Sequence, residues 1–350
     1  MDIEALRLKI YEMNEDECFY KDYYFARQQQ YSFEKFLSGL DMDDVLKRHL
    51  LIPEIKETIP PRFEDAFFFD LTVTNGIITQ KHNRYSPAIL HSHTFFELLY
   101  VYDGTCSQKL QHTEFQLHTG DVCIIPPGIE HAIAVNDESI ILNVLIRKDT
   151  LHNIFYNFLN TENILSAFFL NNIYAQKAND YIIFHTGSDL EIQRGFLYML
   201  WETINKRLYC YQMIGNTLML VFGLLIRNYE NTVDMPIFSK KEDVQRFALL
   251  QYIQEHYSTV KLEDVARKFH YTPEYTSKLI RETTGMTFTE ITQRIRIEKA
   301  QDLLTNTNLP VASISDEVGY DSPEYFIRLF KKHTRMTPSA YRKNNGISYI

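Results

Sequence analysis

TPEYTSKLIRETTGMT, Thr272 to Thr287, recurs fifty residues further on as SPEYFIRLFKKHTRMT, Ser322 to Thr337. Seven of the 16 positions are identical: the Pro, Glu, Tyr, Leu, second Thr, Met and final Thr. Others are conservative, Lys278 with Arg328 and Arg281 with Lys331 among them. Both copies open on a hydroxyl residue suited to capping a helix, followed by Pro, whose missing N–H costs nothing in the first turn. Apolar residues then fall at helical spacing, Tyr275, Leu279 and Ile280 in the first copy and Tyr325, Leu329 and Phe330 in the second. They form the predicted core stripe.

Each copy follows a shorter amphipathic segment. KLEDVARKFHY places Leu262, Val265, Ala266 and Phe269 on one face. VASISDEVGY does the same with Val311, Ile314, Ser315 and Val318, and ends at Gly319, a residue suited to a left-handed turn. Short helix, tight turn, longer helix is the helix-turn-helix plan, here expected near 261–285 and 310–335. The small Ala266 and Ser315 let the two helices of each unit cross closely. Between the units, FTEITQRIRIEKAQDLL (Phe288–Leu304) reads as one helix of about 25 Å. Such a strut suits two readers that must sit about 34 Å apart, one turn of DNA.

The last hundred residues, roughly Val244 to Lys343, resemble the DNA-binding domain of the AraC/XylS family of transcription regulators. The resemblance is carried by the SPEYFIRLFKKHTRMTPSAYR ending, the IRIEKAQDLL linker helix and the ISDEVGYDSPEYF second unit. Two positions depart from the family pattern. LIRE stands where the first unit usually has Leu-Phe-Lys-Lys, and Arg335 stands where Gly is usual, which puts Arg335 at an expected helix C-cap with a strained backbone.

In a helix-turn-helix the second helix enters the major groove and its exposed face reads bases. The predicted exposed positions are Glu274, Ser277, Lys278 and Arg281 in the first unit, and Glu324, Ile327, Arg328 and Lys331 in the second, with Thr272 and Ser322 as caps. Lys278 and Arg328 occupy positions that read bases in regulators of this family, and either can donate to guanine O6 and N7. Glu274 and Glu324 are candidates for cytosine N4 or simple caps. Lys331, Lys332 and Arg335 make a basic edge suited to phosphate, which positions without specifying. Charge distribution agrees: Lys241–Lys343 holds 16 basic and 14 acidic side chains, while the whole chain carries a net −9. An acidic body thus precedes a slightly basic end.

HSHTFFE, His91 to Glu97, lies in a region of different texture. From about Phe67 to Leu145 short alternating segments separated by Gly-marked turns predict an antiparallel barrel: FFFDLTVTNGIIT, FFELLYVYDGTCSQKL, EFQLHTGDVCIIPPGIEHAIAV and IILNVLIR. The region resembles the cupin fold. His91, His93, Glu97 and Gly104 match its first motif; Gly120, Pro126, Gly128 and His131 match the second. Tyr85 and Val135 stand where the motifs usually have Gly and Asn. His91 and His93 share a strand face, and with Glu97 and His131 they make a set suited to a first-row divalent ion. The family resemblance implies a metal-free effector pocket built by these same four residues, so no cofactor is expected and a divalent metal is the alternative. No catalytic residue is expected. A metal-dependent cupin enzyme fused to a DNA module is the rival function, and a barrel serving only as a dimer scaffold is a third.

The fold expected is α+β: a helical extension (1–65), a cupin-like sensor barrel (66–150), a helical region (151–232), a linker (233–243) and the DNA-binding domain (244–345). In the helical region, LEIQRGFLYMLWETINKRL and YQMIGNTLMLVFGLLIRNY read as a hairpin that the resemblance makes a dimerisation surface. LMLVFGLLI, nine apolar residues, is too short to span a bilayer. Four cysteines without paired spacing fit a reducing compartment. A cytoplasmic regulator follows, with double-stranded DNA, a small-molecule effector, a second copy of the chain and RNA polymerase as partners, and no membrane.

Overall fold

The computed structural model describes residues 2–60, 62–69, 76–110, 113–151, 163–174, 181–235 and 241–345. They form two units. The first opens with four short helices, α1 (Ile3–Lys9), α2 (Glu15–Ala26), α3 (Gln30–Ser38) and α4 (Met42–Lys47). Polar caps start three of them: Asp2 accepts from Ala5 N, Asp41 from Asp43 N and Asp44 N, and Asn14 with Glu17 forms a reciprocal capping box. Their apolar faces meet in an aromatic cluster around Tyr20, Tyr23, Val45, Leu50 and Ile52 that also takes in Tyr85.

Glu17 does more than cap. Its fully buried carboxylate accepts from Arg84 Nε at 2.9 Å and Lys81 Nζ at 2.7 Å as well as from Asn14 N. Arg84, itself 3% exposed at the side chain, reaches on to Glu138 at 2.8 Å. This ion cluster fastens the extension to the strands that follow.

Those strands make two antiparallel sheets. β1 (Ile77–Lys81), β2 (Phe96–Asp103), β5 (Asp121–Ile125), β7 (Ile140–Ile146) and β8 (Ile182–His185) pair in the order β1-β7-β2-β5-β8. β3 (Thr105–Leu110), β4 (Thr113–His118) and β6 (His131–Ala134) pair as β4-β3-β6. Alternate side chains from both sheets, among them Leu99, Cys106, Leu117, Cys123, Ile133 and Ile141, fill the space between as one core. Gly120 turns the chain at φ +90°; a Cβ there would meet the Gly187 carbonyl at 1.8 Å.

Three expectations change. Phe67 and Phe68 end a short helix, α5 (Asp65–Phe68), and the strand expected over FFFDLTVTNGIIT is confined to β1, with 70–75 outside the described residues. The stretch 151–232 is not one helical region. Ile182–His185 is a strand on the edge of β5, because four residues dominated by apolar side chains carry no helical period and complete an open sheet edge. The preceding helix, α6 (Ile164–Tyr174), packs in the second unit against α9 (Lys241–Glu255). The helix expected over LHNIFYNFLN falls mostly on 152–160, outside the described residues.

α7 (Leu190–Asn205) and α8 (Cys210–Tyr229) form the expected hairpin in the first unit. Gly195 lets them approach, since a Cβ there would stand 2.6 Å from Val221 Cγ2. By length and composition Cys210–Thr232 could cross a membrane. Its buried positions Ile214, Leu218, Val221, Phe222 and Leu225 recur at helical spacing, and the helix packs on α7, as a core helix does.

The second unit continues from α9 with α10 (Leu262–Lys268), α11 (Pro273–Thr284), α12 (Phe288–Asn306), α13 (Val311–Glu317), α14 (Pro323–Thr334) and α15 (Pro338–Asn345). Ile297, Ala300 and Leu304 of α12 pack with Ile314, Val318, Phe326 and Phe330 as its second core.

Removing one partner from a buried ion cluster leaves uncompensated charge, so Glu17→Gln is expected to destabilise the sensor unit by about 3 kcal/mol, read by urea denaturation. Hydrogen bonds from Arg84 and Lys81 outweigh burial and hold this carboxyl below its ordinary 4.5. The contribution is therefore complete above pH 4.5 and is lost as pH falls through the lowered value. The variant should lack that acid-side loss.

Candidate DNA-reading face and sensor cavity

The two repeated segments become α11 and α14, built alike. Thr272 Oγ1 accepts from Tyr275 N and Ser322 Oγ from Tyr325 N, each at 3.2 Å, with Pro in the first turn. The first helix of each unit is held by the same bond across the turn, Tyr271 N to Ala266 O at 2.8 Å and Tyr320 N to Ser315 O at 2.9 Å. Ala266 and Ser315 are buried, where the helices cross. The left-handed turn residue is His270 (φ 57°) in the first unit and Gly319 (φ 82°) in the second. Gly319 has no substitute: a Cβ would lie 2.0 Å from Ser258 O. Counting back from the caps shows why the turns differ, since Asp321 is one residue more than the first unit has.

α12 is fixed between the units by Arg296. Its guanidinium donates to Tyr257 O (2.8 Å), Ser258 O (2.9 Å) and Gly319 O (2.8 Å). One planar fork thus ties the loop after α9, the strut and the turn of the second head together. Arg296 stood unremarked in the sequence, because a basic residue on an exposed-looking helix gives no sign that carbonyls await it.

Glu274, Lys278, Arg281, Glu324, Arg328, Lys331, Lys332 and Arg335 are exposed, and Ser277 is half-buried. Glu324 accepts from Ser322 Oγ at 2.9 Å, so it completes the cap, and Lys278 faces Glu282 at 3.7 Å. Arg335 closes α14 at φ 64° in the left-handed region, the strained cap expected of it. Tyr275 and Tyr325 do not join the core: they are 48% and 40% exposed, and Thr276 and Phe326 take the buried positions. The Pro at N1 sets the helix phase one residue away from the anticipated stripe. Tyr325 instead lies under Arg328, 5.4 Å from ring centre to guanidinium carbon, with Gln293 of α12 near its hydroxyl. With exposed Ile327 it enlarges the candidate reading face.

In the sensor unit the four residues His91, His93, Glu97 and His131 do converge. Glu97 Oε2 lies 3.0 Å from His131 Nε2 and 3.4 Å from His93 Nε2, while Oε1 accepts from Asn143 Nδ2 at 2.7 Å. Every Nδ1 is committed to a main-chain carbonyl: His91 to Ile89 (2.8 Å), His93 to Phe95 (2.6 Å) and His131 to Ile129 (3.1 Å). A carbonyl only accepts, so each Nδ1 carries the proton and each neutral Nε2 is left a lone pair. His93 Nε2 and Asn143 Oδ1 are buried without a partner. Burial, with His131 beside it, pushes His91 down to about 4. Burial alone would raise Glu97, but the imidazoles of His131 and His93 hold it well below the usual carboxylate range.

His91, Glu97 and His131 bring ligand atoms within 4.8 Å of one another, a set that fits a first-row divalent ion; His93 falls outside that group. Above them opens a cavity of about 390 Å³. Phe63, Phe67, Phe68 and Phe95 line its walls, and Asp16, Tyr20, Arg48, His49 and Leu51 reach it from the N-terminal extension. Those extension residues were not anticipated, since no local pattern marks a distant segment as a pocket wall.

Two family models match the chain, a helix-turn-helix domain over residues 265–344 and an AraC-like ligand binding domain over residues 77–155. The chain belongs to the AraC/XylS family. The uncharacterized HTH-type transcriptional regulator YisR of Bacillus subtilis is 35% identical over 94 residues, 27% of this chain and 33% of that one. The arabinose operon regulatory protein of Escherichia coli is 35% identical over 94 residues, 26% of this chain and 32% of that one. The C-terminal domain of AraT, a response regulator from Geobacillus stearothermophilus, shares 37% identity over 31% of this chain and 93% of that chain, at a TM-score of 0.30. This AraC/XylS member spans about a third of the length of the curated relatives it matches.

A non-glycine residue in the left-handed region costs about 1 kcal/mol. Arg335→Gly is therefore expected to raise the stability of the C-terminal unit by about that amount in chemical denaturation, while weakening DNA binding through the lost cation.

Proposed function

We propose that the protein is a sequence-specific, DNA-binding transcription regulator that responds to a small molecule bound in its N-terminal cavity. The observation that carries this is the pair of helix-turn-helix heads, built with the same caps and the same crossing bond and joined by one helix that Arg296 braces. Two such heads on one bar match successive major grooves. Lys278 and Arg328 contact base edges, with Tyr325 stacking beneath Arg328 to limit its motion; Lys331, Lys332 and Arg335 hold phosphate. Glu274 and Glu324 order the helix starts. RNA polymerase is the further partner of a regulator of this kind, and its compartment is the cytoplasm. Nothing here asks catalysis of the barrel.

The α7–α8 hairpin supports a homodimer. Tyr209, Met213 and Leu220 are 66%, 40% and 62% exposed and fall on one side of α8, an apolar stripe suited to self-association about a two-fold axis. The effector acts by binding the DNA-competent state more tightly than the other, the only way a ligand shifts such an equilibrium.

Mobility-shift titrations with genomic promoter fragments test the division of labour. Arg328→Ala is expected to relax preference at one operator position, at a cost of about 1–3 kcal/mol. Lys332→Ala should weaken all sequences alike and reduce the salt slope by about one. Equal behaviour of the two variants would refute the assignment, and wild-type protein that prefers no promoter over random duplex would refute the function.

A further inference from the structure

We propose that the sensor cavity is built to receive a cation, seated on Glu97 among the Nε2 atoms of His91, His93 and His131. The inference rests on the cavity being the effector site and names the chemistry it selects.

The floor offers acceptors and no donor. Three Nδ1–H groups are spent on the Ile89, Phe95 and Ile129 carbonyls, so the three Nε2 atoms face Glu97 as lone pairs. Asn143 spends an N–H on Glu97 Oε1, and its own Oδ1, like His93 Nε2, is buried with no partner. A carboxylate 3.0 Å from one lone pair and 3.4 Å from another is repulsive unless positive charge stands between them. An added proton on one imidazole satisfies a single contact; a bound cation satisfies all of them.

The rest of the cavity leaves no place for an anion. Arg48 is neutralised by Asp16 (2.7 Å) and Asp44 (2.9 Å). Lys81 spends its three donors on Ile10 O, Glu12 O and the Glu17 carboxylate. The walls are Phe63, Phe67, Phe68 and Phe95, whose ring faces attract cations. Positive charge is thus wanted at the floor and tolerated along the walls.

Two sources supply it. A first-row divalent ion fits the nitrogen and oxygen donors of His91, Glu97 and His131. A protonated primary amine presents three N–H donors to the same acceptors, and about 390 Å³ leaves room for an apolar body among the phenyl rings.

Calorimetry and thermal-shift measurements on the full chain separate these. The probes are zinc chloride, manganese chloride, and a matched series of 2-phenylethylamine, 3-phenylpropanol and 3-phenylpropanoate. Wild type is compared with Glu97→Gln and, as a surface control, Glu114→Gln. Stoichiometric metal binding, weakened at least about tenfold in Glu97→Gln and unchanged in Glu114→Gln, supports the ion. Binding of the amine but not the alcohol or the acid supports the organic cation, and this comparison needs no variant to fold. Binding of the acid or alcohol as well as or better than the amine, with no metal bound, overturns the inference while leaving an effector cavity in place. No response to metal or amine also overturns it. A broader screen of sugars, acids and aromatics for shifts in melting and DNA affinity then decides separately whether the cavity binds an effector at all.

Discussion

The guanidinium of Arg296 is the constraint on which the DNA-binding unit turns. Two helix-turn-helix heads are useful only if their separation is fixed, and a helix alone fixes length but not the rotation of what hangs from its ends. Arg296 donates to carbonyls in the loop after α9 and in the turn of the second head. It therefore locks the strut's rotation against both sides. Gly319 exists for the same contact: its carbonyl takes one of the three bonds, and its missing side chain lets Ser258 come close. A point charge on a flexible stem could not satisfy three carbonyls in one plane.

The sensor unit contains two buried carboxylates with opposite circumstances. Glu17 is surrounded by donors, from Arg84, Lys81 and a main-chain N–H, and so acts as a rivet between extension and sheet. Glu97 has one amide donor and lone pairs otherwise. A protein that can fully satisfy one buried carboxylate has left the other wanting. That contrast is the physical mark of a binding site as against a structural one.

Corrections to the expected organisation share a cause. Ile182–His185 and the α6 helix are short or uniformly apolar, and such segments bury equally well against any partner of complementary shape. Their placement, one on the edge of β5 and the other against α9, is settled by which edge or groove is open. Tyr275 and Tyr325 moved from core to surface for a smaller reason: an amphipathic ring satisfies an apolar stripe on paper and a wet face in fact.

The sequence by itself determined the two heads, their caps, the strut between them, the strained Arg335 cap and the four residues of the pocket floor. Each of these is a local pattern, written in spacings of a few residues that the period of a helix or strand converts directly into geometry. Only the tertiary structure decided that Asp16, Tyr20 and Arg48 roof the cavity, that Arg296 braces the heads, and that three imidazoles turn lone pairs toward one carboxylate. Those facts depend on which distant carbonyl or side chain arrives nearby, and chain entropy makes such meetings a property of the whole fold, invisible to any short stretch of it.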